Sequence, residues 1–273
     1  MSNPELKGSH RKMWWNGIPA KLRGSVWKKA IGNELEVLQI TYNVALEKAQ
    51  LQIKELGESA LGGRYAQIVE NTKSVFPDLK VFAPATEGVP EQPLHQELVN
   101  ICIAYTMYRP DVDTTAGIHH IAALFLLNMS APDSFIALSN ILNRPLPLSF
   151  LIQDQTAITA AYDTTLSALS KKNSSLADRL AGLRVEPHDY LLPMFSSLFC
   201  HRLLIEHAAR VMDVYTIEGD KIPPRVAVGL LGVLEGSCMN GEMDDVVAAL
   251  CTTAIRESPD EFMGKIYEAG KSS

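Results

Sequence analysis

The stretch WWNGIPAKLRGSVWKKAIGN, residues 14–33, decides the fold. From Leu22 to Ile31 its apolar residues recur three or four apart, the spacing of one face of an α-helix. Pro19 pre-sets the first turn of that helix, because a proline there gives up an N–H that would lack a partner anyway. Trp27 follows Arg23 by four residues and shares its face, where the indole anchors the arginine.

The same period runs outward along the chain. YNVALEKAQLQIKEL (42–56) and LHQELVNICIAYTMY (94–108) repeat it, and long Val/Ile/Thr alternations of the kind that make strands are absent. An all-α protein is predicted. IHHIAALFLLNM (118–129) is apolar almost all round, which predicts a helix at the centre of the core. Between these helices, PDLKVFAPATEGVPEQP (77–93) holds four prolines and a glycine and reads as a long loop or a set of turns. The Pro-bounded segment NRPLPLSF (143–150) breaks the helical series again, and a subdomain boundary is placed there. In ALSKKNSSLADRLAGL (168–183) the Asn-Ser-Ser centre stops one helix and caps the next. The run from Leu191 to Gly219 reads as two helices meeting near His201 and closed by Gly219. Amphipathic helices over 223–234 and 243–255 finish the fold, with 256–273 read as a helix end and tail.

Composition narrows the function. In 273 residues, 47% hydrophobic content suffices for a large core, and a net charge of −6 argues against phosphate backbones, so nucleic acid is not an expected partner. No eighteen consecutive residues are apolar, so no direct membrane insertion is expected. Cys102, Cys200, Cys238 and Cys251 lie far apart with no CxxC pair, and read as reduced, mostly buried thiols of a cytoplasmic protein.

Isolated constellations offer little chemistry. His119 and His120 are adjacent and point about 100° apart on a helix, so they cannot grip one metal together. Glu242, Asp244 and Asp245 open a helix, where negative charge complements the dipole. Asp111, Val112 and Asp113 lack the glycine and distal glutamate of a calcium loop. No metal, no cofactor and no self-contained active site is expected, since no phosphate-cradling or nucleophile-elbow motif is present.

Residues 14–33 resemble the opening of the TBC (Tre-2/Bub2/Cdc16) domain, a fold that activates Rab GTPases. The matching positions are Trp15, Gly17, Ile18, Pro19, Arg23, Gly24, Trp27, Gly32 and Asn33. IAALFLLNM (121–129) and MFSSLFCHRLLIEHAARVMDVYTIEG (194–219) look like further segments of the family, so the likeness covers nearly the whole chain. It implies an all-helical fold of two lobes, with residues 1–13 a short extension and 14–255 the TBC-like domain. It also implies a Rab-type small GTPase or trafficking protein as partner, and recruitment to endomembranes by partners. A separate targeting module finds no room, so a membrane address comes from a partner or the sequence is one piece of a longer product.

The resemblance also shows substitutions at both finger positions and at a neighbour of each. The family pattern Ile-x-x-Asp-x-x-Arg-Thr-Phe-Pro aligns with IVENTKSVFP (68–77), which places Asn71 on the Asp and Ser74 on the arginine finger. The pattern Gly-Tyr-x-Gln-Gly-Met aligns with DTTAGI (113–118), which places Thr114 on the Tyr and Ala116 on the glutamine finger. An arginine finger is worth about 10³ to 10⁵ in rate, and alanine has no side-chain hydrogen bond with which to orient a water. The expectation is an interaction module without standard GTPase-activating catalysis. A rival reading keeps activity, with Lys73 or Arg109, or Lys80 in the same loops, as the substitute cation. A third makes the chain a protein-binding scaffold with a vestigial Rab surface.

Overall fold

The helix expected over residues 22–31 forms as part of α2 (Ala20–Ile31), preceded by α1 (Arg11–Trp15). The structure is a computed structural model and describes residues 11–112 and 117–271. Helices α3 (Gln39–Leu56), α4 (Tyr65–Thr72), α5 (His95–Tyr108), α6 (Ile118–Leu126) and α7 (Ala131–Leu142) pack with α2 into a first lobe. Its centre is α6, whose residues from Ile121 to Phe125 are fully buried, as its all-round apolar sequence predicts. Residues 77–93 form one 3₁₀ turn and a set of turns with a single Thr86–Val89 bridge, and no strand occurs among the described residues.

The second lobe comprises α8 (Pro145–Leu151), α9 (Gln155–Lys172), α10 (Ser174–Gly182), α11 (Pro187–Ser196), α12 (Ile205–Glu218), α13 (Ile222–Cys238), α14 (Met243–Thr252) and α15 (Pro259–Ala269). Asn173 ends α9 and caps α10, accepting from Leu176 N at 3.0 Å. Two segments differ from the sequence reading. NRPLPLSF does not simply break the helical series: Pro145 and Pro147 sit in the first turn of α8, where their missing N–H groups cost nothing. Residues 256–273 are more than a helix end and tail. Ser258 and Glu261 form a reciprocal capping box, Pro259 opens α15, and Phe262, Met263 and Ile266 are buried against α12 and α13.

The lobes are joined through α12. Its Asp213 carboxylate is fully buried and accepts from Ile18 N (2.9 Å), Trp27 Nε1 (2.9 Å) and Arg23 Nε (3.2 Å). Trp15 Nε1 donates to Glu218 at 2.8 Å, one turn further on. The fingerprint residues therefore form a clasp that ties the N-terminal segment to α12. Gly24 belongs to it for want of space, since a Cβ there would lie 2.0 Å from the Asn128 carbonyl oxygen. Asn33 closes the following turn, donating to Val37 O (2.9 Å) and accepting from Val37 N (3.0 Å) and Asn140 Nδ2 (2.9 Å). At the other junction, Arg144 donates to the Tyr215 and Thr216 carbonyls at 3.0 and 2.9 Å, which satisfies the open C-terminal end of α12.

Candidate functional site

Residues 68–77 leave α4 through a turn whose facing follows from helical spacing. Ile68, Thr72, Val75 and Phe76 point inward and are buried, which leaves Lys73 and Ser74 exposed. Phe76 takes the left-handed conformation (φ 42°), and Pro77 then opens the 3₁₀ turn. A non-glycine residue there costs about 1–2 kcal/mol, which burial of the Phe76 ring offsets.

The Phe76 ring meets His120 edge to face, with centroids 6.0 Å apart. His120 lies in the first turn of α6, directly after Gly117. Gly117 has φ +78°, and a Cβ would stand 2.8 Å from Ser197 Cβ, so no other residue fits without displacing the turn after α11. The turn after α4 and the start of α6 thus meet at one place. Asn71 and Ser74 lie on this turn, whereas Asp113, Thr114 and Ala116 lie outside the described residues.

Between Ser74–Leu79 and Cys200–His207 runs a groove of about 390 Å³, with His120 and His201 in its lining. Strain also sits just before the second wall, as Leu198 (φ 48°) and Phe199 (φ 66°) are left-handed too. Such outliers persist where the surroundings over-determine them, commonly at functional sites. His119, His120 and His201 form a run of rings 4.4 and 6.1 Å apart. Burial pushes their pKa values down, to about 4 for His119 and His201 and about 2 for His120, where neighbouring imidazoles add to the effect. All three are neutral near pH 7. The His201 Nδ1 is 2.7 Å from the Ser197 hydroxyl, while the buried Nδ1 of His120 has no hydrogen-bond partner.

Lys73, Arg109 and Arg202 are engaged elsewhere. Lys73 pairs with Glu70 at 2.6 Å along its own helix, and Arg109 grips Asp111 with two bonds of 2.8 Å. Neither side chain lines the groove, nor does Lys80. Arg202 does line it, but its guanidinium donates to the Leu250 carbonyl at 3.0 Å and to that of Thr253, closing the end of α14. Ser74 Oγ donates to Asn71 O at 3.3 Å, and Gln67 Nε2 donates to Asn71 Oδ1 at 2.7 Å. Sequence reasoning missed His201, Ser197 and Arg202 as site residues, because their approach to residues 74–79 depends on how α11 and α12 are turned, not on any local pattern. Among the described residues, no three ligating side chains are grouped to hold a metal ion, and no helix is long and apolar enough to cross a membrane.

A family model described as the Rab-GTPase-TBC domain matches residues 20–238, and the chain belongs to that family. It is 31% identical over 259 residues to TBC1 domain family member 12 of Rattus norvegicus, a match covering 90% of this chain and 36% of the relative. It is 32% identical over 277 residues to a TBC domain-containing protein of Schizosaccharomyces pombe, covering 98% and 57%. The chain therefore spans only part of the length of these relatives. Among solved structures, the Chlamydomonas flagellar RabGAP TBC domain superposes with a TM-score of 0.76 at 17% identity, covering 97% of this chain and 86% of that one. The Ypt/Rab-GAP domain of Gyp1p gives 0.72 at 15%, covering 95% and 90%. At such identities these two likenesses concern the fold alone.

Proposed function

We propose that this chain binds a Rab-type small GTPase but does not accelerate GTP hydrolysis by the two-finger mechanism of its family, and serves as an interaction module in membrane trafficking. One observation carries the reading: Ser74 stands exposed at the lip of the groove where the family pattern has arginine, Lys73 and Arg109 are held in local ion pairs, and neither they nor Lys80 lines the groove. Phosphoryl transfer from GTP depends on charge placed beside the γ-phosphate and on an oriented water. A serine hydroxyl carries no charge and lacks the reach of a guanidinium. The missing finger corresponds to roughly 4–7 kcal/mol of barrier, and Ala116 at the glutamine position removes the water-orienting amide as well.

A second reading, in which activity survives through Lys73, rests on its partner. Glu70 is largely exposed, and such a pair holds by only about 0.3–0.5 kcal/mol. Lysine would bring a point charge without the bidentate fork.

The deciding experiment is single-turnover GTP hydrolysis across a panel of Rab proteins, with a conventional TBC domain as positive control. No stimulation is expected from the native sequence, and Ser74→Arg combined with Ala116→Gln is expected to create stimulation on a GTPase that the chain binds. Stimulation by the native chain that Lys73→Ala abolishes would establish the second reading. Failure to bind any Rab in either nucleotide state would remove the GTPase from the proposal.

A further inference from the structure

Away from the groove beside Ser74, a second groove of about 720 Å³ is formed by the C-terminal half of α9 and the end of α15. Lys171, Lys172 and Lys271 line it, and Asp163 is the one carboxylate among the lining residues. A fourth cation stands at its edge. Gly270 lines the groove, and a Cβ on it would lie 2.5 Å from the Arg225 guanidinium carbon, so the guanidinium rests against the bare glycine backbone. Three elements, α9, α13 and α15, thus bring four cations to one concavity on a chain whose net charge is −6.

The usual structural duties of basic residues account for only part of this cluster. Lys171 and Lys172 occupy the last turn of α9, where cations complement the helix dipole. Arg225 sits instead in the first turn of α13, the positive end of a helix, where a cation is disfavoured. Among the described residues it forms no ion pair within 4.0 Å, and neither do Lys171 and Lys172. Lys271 has a local carboxylate, Glu268, and lies 5.2 Å above the Tyr267 ring, both largely solvent-exposed. Three cations left without an ion pair on α9 and α13, with the locally paired Lys271 beside them, are stabilised by an anion bearing several charges, and a lysine-rich surface with one arginine suits phosphate oxygens.

From this we infer that the groove bounded by Lys171, Lys172, Arg225 and Lys271 binds a multiply phosphorylated anion. The same chemistry is presented by a phosphorylated lipid headgroup at a membrane surface and by a soluble inositol phosphate.

The test has two arms. Binding of soluble inositol trisphosphate is measured by titration calorimetry, and co-sedimentation is measured with phosphatidylcholine vesicles that contain or lack phosphatidylinositol bisphosphate. Lys171→Ala with Lys172→Ala is expected to weaken binding about 25-fold, at about five-fold per lysine. Arg225→Gln should weaken it too, whereas Lys48→Ala with Lys54→Ala, on the distant α3, should leave it unchanged. Binding in both arms, or to the vesicles alone, supports the site and in the second case assigns the ligand to a membrane. No binding in either arm, or equal loss in the α3 control, overturns it. Neither outcome depends on GTP hydrolysis, so this site stands or falls separately from the groove beside Ser74.

Discussion

Asp213 shows how one residue can decide whether a fingerprint is structural. Burial raises its pKa, while a backbone N–H, Arg23 and Trp27 all favour the charged form. With three donors aimed at it, the carboxylate is the acceptor around which residues 14–33 are arranged. Removing it leaves a partly buried guanidinium and two N–H groups unpaired. Asp213→Ala is therefore expected to cost about 3–5 kcal/mol, read as a lower urea midpoint with an unchanged slope. Asp213→Asn keeps the shape and some acceptance, and should lose less. At Ser74 the opposite holds: the side chain is exposed and its one hydrogen bond is local. Ser74→Arg should alter stability by no more than about 0.5 kcal/mol, so a change in hydrolysis with that variant would report chemistry and not unfolding.

At the scale of the element, most helices were legible because amphipathic spacing and their stop signals agree. Helix α6 and the break at Asn173 follow directly from the residues. In NRPLPLSF proline was weighed as a breaker, whereas at the first turn it starts a helix. In α15 the pattern Ser258-Pro259-x-Glu261 before Phe262 carried the information in full, as a capping box with a proline at the first position. Ser258→Ala should then cost about 1 kcal/mol, and Phe262→Ala, which empties a fully buried site beside His207, about 3–5 kcal/mol. Thermal unfolding of both variants checks the order; equal and negligible shifts would mean that α15 adds little to the fold. The outward facing of Ser74 was also legible, from Ile68, Thr72 and Val75. The groove beside it was not, since Cys200–His207 approaches only through tertiary packing.

Across the whole molecule, the neighbouring histidines His119, His120 and His201 tie stability to pH. Their folded pKa values lie below the unfolded value near 6.5, so the unfolded chain binds more protons between the two. Stability is complete above about pH 6.5 and falls as pH drops towards 4. For His119 alone the loss by pH 4 is on the order of 3 kcal/mol. Asp213, with its pKa raised, works the other way and offsets part of this at the acid end. Denaturant midpoints at pH 7, 6 and 5 should decline stepwise, and His119→Gln should flatten the decline; a profile that stays level in the native chain would contradict neutral burial of these rings.

The clasp on Asp213 also has a consequence in time. Its donors Ile18, Arg23 and Trp27 precede it by 195, 190 and 186 residues. At about 5–20 residues per second of synthesis, the ribosome takes roughly 10–40 seconds to reach their partner. During that interval Trp15 and Trp27 have emerged, or are emerging, without the helix that shields them, and the nascent chain presents two indoles to whatever waits at the tunnel exit. The segment whose residues announce the family most clearly is thus among the last to settle into place.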